Sequence, residues 1–122
     1  MSPGELAGAS VDVLVSAYVE AAAIHGRASG EGDHSLVNEQ HDVVADVHRE
    51  LRVRGLEAQR ALLALLDHPD RSVRSWAGAH ALEFAPDEGE RALTELAAGS
   101  DLVGFDAEMT LETWRQGTLQ FP

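Results

Sequence analysis

The stretch LLALLDHPDRSVRSWAGAHAL, from Leu62 to Leu82, decides the fold class of this chain. Leucines fill its first part, a Pro69–Asp70 corner follows, and small and aromatic residues then recur at helical spacing. A residue before proline disfavours the α conformation, so the leucine-rich helix is expected to end near Asp67. Asp70 can then accept hydrogen bonds from the first amides of the next helix. The stretch therefore predicts two helices joined by a tight corner.

Residues that end or begin helices also divide the rest of the chain. We predict six helices, at about 11–27, 33–54, 56–67, 71–85, 88–98 and 101–116. The glycine-rich residues 26–33 are expected to form a flexible loop, and Asp87 with Glu90 resembles a capping box that opens the fifth helix. No segment alternates apolar and polar residues as a strand does. The expected fold class is all-α, in a single domain over 1–122 with tails at 1–9 and 117–122.

A search for internal repeats adds detail to the second half of the chain. When the sequence is shifted by about 30 residues, apolar residues of similar size coincide. The pairs are Leu63 with Leu93, Leu66 with Leu96, Val73 with Val103, Ala77 with Ala107, and Phe84 with Trp114. Two successive helix–corner–helix units are therefore predicted.

The Leu62–Leu82 stretch resembles a HEAT repeat unit, with its LLxLL helix, its Asp-Pro-Asp type of corner and the small residues that follow. Together with ELRVRG and GFDAEMTLETWRQG, it also resembles a small bacterial HEAT-like domain family of unknown function. The resemblance implies a short right-handed α-α superhelix. It also implies scaffold roles for Asp70, as a helix cap, and for Arg74, which would reach a neighbouring carboxylate or helix C-terminus. Gly104 stands where Arg74 would recur, which argues against a repeating ladder of such contacts.

Some members of that family lie beside toxin genes, and HEAT-like folds recur among toxin-immunity proteins. The resemblance thus implies a protein-binding role, including inhibition of a toxin.

The six histidines do not form a metal-binding pattern. His34, His41 and His48 are seven residues apart, about 10.5 Å along a helix. One ion with ligand bonds of about 2.1 Å cannot bridge that distance, so no metal or cofactor is predicted. We expect His41 and His48 to flank the apolar stripe of their helix and to keep one ring nitrogen in water.

Trp76 and His80 lie one turn apart and are expected to fill the core beside the Pro69 corner. An alternative is a small-ligand groove between the second, fourth and sixth predicted helices, using His80 and Arg74. No strained nucleophile turn or oxyanion hole accompanies these residues, so no catalytic residue and no enzyme activity is predicted.

The composition narrows the range of partners. The net charge is −12, and all nine basic residues are arginines. Such a chain is repelled by phosphate backbones and anionic lipids, which disfavours nucleic acid and membrane surfaces as partners. The chain contains no cysteine, and its N-terminus lacks the basic and apolar regions of a signal peptide. A cytoplasmic location is expected.

The acidic residues are concentrated near the C-terminus. Glu83–Glu112 contains nine acidic residues against Arg91 alone, whereas Arg49–Arg74 contains six arginines and four acidic residues. Such an anionic segment attracts a cationic protein partner over a long range, although acidic residues also simply keep a surface solvated. The segment therefore predicts a basic protein as partner.

The last predicted helix has two apolar faces. One comprises Ala107, Leu111 and Trp114, and the other comprises Leu102, Phe105 and Met109. A terminal helix needs only one buried face, so the second is covered by the tail through Leu119 and Phe121, or it binds a partner or a second copy of the chain. The candidate partner-binding residues are Asp101, Leu102, Phe105, Asp106, Glu108, Met109 and Glu112.

Overall fold

The computed structural model describes residues 2–121 and is helical without any strand over that range. The helices are α1 (Pro3–Gly8), α2 (Val11–Glu31), α3 (His34–Arg54), α4 (Leu56–Arg60), α5 (Arg71–Phe84), α6 (Pro86–Ala97) and α7 (Leu102–Arg115), with a 3₁₀ helix at Ala61–Asp67. The all-α expectation is confirmed. The predicted number of helices is wrong, because the described residues form seven α-helices and a 3₁₀ helix.

The chain divides into two compact units, one ending at Ala61 and the other spanning Leu62–Phe121. In the first unit, α2 and α3 pack along each other and are joined only by Gly32 and Asp33. The predicted flexible loop at 26–33 is wrong, because α2 continues to Glu31. Its last turns are anchored by buried Ala28, and the helix ends where Gly32 adopts a left-handed conformation with φ of 73°.

The predicted N-terminal tail contains a helix. Ser2 caps α1 by accepting a hydrogen bond from the Glu5 amide at 3.3 Å, and Pro3 occupies a first-turn position, where its missing N–H costs nothing. Leu6 is buried, and the Arg54 guanidinium donates to the Leu6 carbonyl at 2.9 Å. Helix α1, whose sequence lacks strong periodicity, is therefore held in place by a contact with a residue distant in sequence.

The expectation that His48 keeps a nitrogen in water is wrong. His48 is fully buried on the face of α3 that also buries Val44 and Leu51, one turn before and after it. Tyr18 of α2 is likewise buried, and burial raises the pKa of its hydroxyl well above the usual value. The interface between α2 and α3 is therefore wider than the apolar stripe of α3 indicated. His41 remains exposed, as expected for a residue that flanks the stripe.

The chain before the Pro69 corner is not one α-helix. The α-helix ends at Arg60, and Ala61–Asp67 continues as a 3₁₀ helix. Side chains three residues apart eclipse each other in a 3₁₀ helix, so Leu62 and Leu65 share one face, and both are buried.

Helix α6 begins earlier than predicted. Pro86 occupies its first turn and Ala85 is the cap residue, without any side-chain capping hydrogen bond. The predicted capping box of Asp87 and Glu90 is therefore wrong. The fixed φ of proline already suits the first helical position, which places Asp87 inside the first turn.

Helices α5 and α6 approach each other closely at two glycines. A methyl group on Gly89 would lie 2.8 Å from the Gly78 carbonyl oxygen and 2.9 Å from the Leu82 amide nitrogen. A methyl group on Gly78 would lie 3.2 Å from the side chain of Leu93. One hydrophobic cluster of the second unit includes residues from both helices, and its buried members are Leu82, Leu93, Leu96, Ala107 and Leu111.

Candidate functional site: the outer face of α7

The start of α7 is fixed by Asp101. Its carboxylate caps the helix by accepting a hydrogen bond from the Gly104 amide at 2.9 Å. It also accepts two hydrogen bonds from the Arg71 guanidinium, from Nε and from Nη2, each at 2.8 Å. Hydrogen bonding to Arg71 lowers the pKa of Asp101 to about 2. Asp101, a predicted partner-binding residue, is thus engaged within the protein, and we remove it from the candidate surface.

Gly104 allows α7 to approach the end of α6. A methyl group there would overlap the Gly99 carbonyl oxygen and lie 2.8 Å from the Leu96 carbonyl oxygen. Arg71 donates to the same Leu96 oxygen at 3.3 Å. The cap, the ion pair and the glycine together set the position of the first turn of α7.

The inner and outer faces of α7 differ sharply in exposure. Ala107 and Leu111 are buried in the core. On the opposite side, Leu102, Phe105 and Met109 are 50%, 60% and 47% exposed. These three residues follow an i, i+3, i+7 spacing, which places them on one stripe.

The C-terminal tail does not cover this stripe. Gly117, with φ of 77°, donates to the Trp114 carbonyl at 2.9 Å, and Thr118 donates to the Thr113 carbonyl at 3.1 Å. These two bonds form a Schellman motif that ends α7. The residues that follow, Leu119 and Phe121, pack against the buried core. The alternative that the tail covers the second apolar face is therefore wrong.

Acidic side chains flank the stripe on both sides. At 100° per residue, Asp106 lies on one side of it, and Glu108 and Glu112 lie on the other. All three are exposed. The basic residue of this helix, Arg115, lies 3.7 Å from the carboxylate of Glu90 on α6. We define the α7 outer surface as Leu102, Phe105, Asp106, Glu108, Met109 and Glu112.

The predicted scaffold residues have mixed outcomes. Pro69 lies exposed at the corner, and Asp70 caps α5 by accepting hydrogen bonds from the amides of Ser72 at 2.8 Å and Val73 at 3.2 Å, as predicted. The predicted contact of Arg74 with a neighbouring carboxylate or helix C-terminus stays a prediction. The Nε atom of Arg74 is buried and makes no hydrogen bond to any described residue.

Arg71, one turn earlier, makes the contact that was predicted for Arg74, because the first turn of α5 lies beside the end of α6 and the cap of α7. Sequence reasoning missed Arg71. The signal was available, since Arg71 and Asp101 are separated by 30 residues, the same shift that aligns the apolar pairs.

Trp76 and His80 lie together, as expected, with ring centroids 5.8 Å apart and planes inclined at 40°. His80 is buried and Trp76 is partly buried. Their use with Arg74 in a small-ligand groove stays a prediction.

Over residues 2–121, no helix has both the length and the apolar composition needed to cross a membrane. Over the same residues, no group of three or more histidine or carboxylate side chains is arranged to hold a metal ion.

The fold and this surface define a small all-α protein whose last helix presents an apolar stripe between acidic edges. The chain belongs to the family described as Domain of unknown function (DUF2019), whose model matches residues 12–114, from the first turn of α2 to the last turn of α7. Among solved structures, it is similar to the protein RPA1889 from Rhodopseudomonas palustris CGA009. That likeness has a TM-score of 0.88 at 25% identity and covers 94% of this chain and 96% of that one. No curated protein matches the chain.

Proposed function

We propose that this chain is a non-enzymatic, cytoplasmic protein-binding module that docks a basic protein on the α7 outer surface. The observation that carries the proposal is the stripe of Leu102, Phe105 and Met109, which stays about half exposed between acidic edges. Exposed apolar side chains grouped on one helix face are typical of interaction sites rather than of scattered surface residues.

The two components of the surface have different roles in this proposal. Phe105 is the largest exposed apolar side chain of the stripe and supplies the central anchor, since aromatic residues dominate binding energy at interfaces. Asp106, Glu108 and Glu112 select a cationic partner and accelerate its association. The net charge of −12 acts in the same direction at long range.

The finer form of the proposal is an immunity-type inhibitor of a basic toxin, built on a short HEAT-like superhelix. The resemblance of the Leu62–Leu82 stretch to a HEAT unit supports it, as does the sequence of short helices joined by corners at Pro69 and Pro86. A gene for a secreted toxin next to the gene for this chain would support this form. Neighbouring genes without any such toxin would leave only the general binding role.

Calorimetric titration with a defined peptide tests the binding role. The probe is a synthetic helical peptide with leucines at i, i+3 and i+7, flanked by lysines. We expect the double variant Phe105→Ser, Met109→Ser to bind at least about ten-fold more weakly, because it removes apolar anchors without changing charge. The matched control is Val13→Ser with Val53→Ser, which alters valines that are 50% and 81% exposed elsewhere.

Salt dependence separates the electrostatic part of the interaction. At 1 M salt the Debye length falls to about 3 Å, so peptide affinity should drop markedly. Equal loss of binding in the control variant, or affinity unchanged in 1 M salt, would contradict docking of a basic partner on α7.

Self-association is the second candidate function, because the same exposed stripe could pack against a second copy. A two-fold contact would bring the acidic edges of both copies together, so salt would strengthen it by screening repulsion. Sedimentation in low and high salt distinguishes the two candidates. A monomer at high concentration in both, unchanged by Phe105→Asp, would remove self-association.

A further inference from the structure

A second concave surface lies between the 3₁₀ helix and α6, apart from the α7 outer surface. It is a groove of about 240 Å³ with an apolar floor formed by Leu63, Leu66 and Ala92. The groove and the α7 outer surface have no residue in common. The groove is therefore a separate surface from the one proposed to dock a basic protein.

The geometry of the 3₁₀ helix produces this floor. With three residues per turn, Leu63 eclipses Leu66 on a face next to the buried face of Leu62 and Leu65. Both floor leucines are only partly buried. The opposite side of the floor is the small side chain of Ala92 on α6, which leaves the groove unfilled.

The rim of the groove is anionic. It is formed by Asp67, Glu88 and Glu95, with Arg91 as the basic residue among them. Among the described residues, no ion pair neutralises any of these three carboxylates. An apolar floor below three carboxylates matches an amphipathic cation, which has an aliphatic stem and a charged head.

We propose that this groove binds an arginine side chain from a basic segment of another protein. The aliphatic stem lies on Leu63 and Leu66, and the guanidinium donates hydrogen bonds to Glu88 or to Glu95, while the other carboxylate attracts it over a longer distance. Arginine fits better than lysine, because its guanidinium is more weakly hydrated and its planar fork matches carboxylate geometry. This site is independent of the α7 outer surface and holds whether or not that surface binds a partner.

Amide chemical-shift titration of the intact chain tests the site. The probe is the peptide acetyl-Gly-Arg-Gly-amide, and its control contains citrulline, which keeps the shape of arginine without its charge. We expect the arginine peptide to shift the amides of Leu63, Leu66 and Ala92, and the citrulline peptide to leave them in place. Absence of these shifts, or equal shifts with citrulline, would overturn the proposal.

Variants that remove charge from the rim give a sharper test, because they should change the affinity for the arginine peptide in opposite directions. Glu88→Gln and Glu95→Gln should each weaken binding about two- to five-fold, the range of an exposed ion pair. Arg91→Gln should strengthen binding by a similar factor, because it removes a like charge from the rim. Weakening by Arg91→Gln would overturn the proposal, since an arginine ligand cannot depend on a neighbouring arginine.

A control pair keeps this test separate from the proposed function. Glu108→Gln with Glu112→Gln removes two carboxylates from the α7 outer surface and should leave the groove affinity unchanged. If this pair weakens binding as much as Glu88→Gln with Glu95→Gln, the peptide senses net charge alone and the groove is not a site.

Discussion

At the scale of single residues, the contact between Arg71 and Asp101 links the first turn of α5 to the cap of α7. The pKa of Asp101 is about 2 in the folded chain, below its ordinary 3.8, so folding favours the ionised form. The stabilisation it supplies is complete above the unfolded pKa near 4 and is lost as the pH falls toward 2. Both side chains are partly exposed, so the effect is modest.

Asp101→Asn tests this linkage, because asparagine keeps a capping oxygen but removes the charge and one of the two oxygens that accept from Arg71. We expect a lower Tm than wild type at pH 7 and a difference that shrinks steadily between pH 4 and pH 2. Thermal unfolding followed by circular dichroism across this range measures it. A Tm difference that is constant with pH would show that the charge of Asp101 contributes nothing.

Asp70 makes a second prediction at this scale. Asp70→Ala removes the acceptor for the amides of Ser72 and Val73 and should cost about 1 kcal/mol of unfolding free energy. Urea denaturation measures the change. Ser100→Ala is the matched control, because α7 is capped by the neighbouring Asp101 and Ser100 is exposed. Similar losses in both variants would contradict the capping role of Asp70.

At the scale of elements, glycines allow the helices of the second unit to pack closely. Gly104→Ala would place a methyl group against the Gly99 carbonyl and should destabilise the fold by about 1–3 kcal/mol. Gly30→Ala, inside α2 with open space around it, should instead stabilise by up to about 1 kcal/mol through helix propensity. Urea denaturation of both variants checks the sign. A neutral or stabilising Gly104→Ala would contradict the close approach.

A helix could be predicted from sequence where the apolar periodicity agrees with the residues that cap or end helices. Asp70 caps α5 as predicted, and Asp33 and Asp101 cap α3 and α7 in the same way. The 3₁₀ helix could not be predicted, because its six leucine and alanine residues fit a period of 3.0 as well as one of 3.6. The length of α2 was also missed, since burial of Ala28 outweighs the weak helix propensity of its glycines.

The candidate site could be predicted in part. Helical spacing placed Leu102, Phe105 and Met109 on one face, and all three are exposed. The engagement of Asp101 by Arg71 was missed, because it depends on the packing of α5 against the ends of α6 and α7. The groove beside the 3₁₀ helix was missed for the same kind of reason, since its floor exists only in that helix geometry.

At the scale of the whole molecule, the excess of acidic residues favours cationic partners. The chain carries a net charge of −12, and its acidic residues border both the stripe on α7 and the groove beside α6. The net charge would therefore attract a cationic protein over a long range, and the two local surfaces would bind different parts of it. A partner of neutral or acidic character would gain nothing from this distribution.

The proposed docking of a basic partner on the α7 outer surface can be tested residue by residue. The most direct measurement is an amide chemical-shift titration of the wild-type chain with the lysine-flanked leucine peptide, repeated with Phe105→Ser, Met109→Ser. We predict shifts concentrated at residues 102–112 in the wild type and lost in the double variant. Shifts spread evenly over the acidic surface, or retained at 102–112 in the double variant, would contradict the proposed docking.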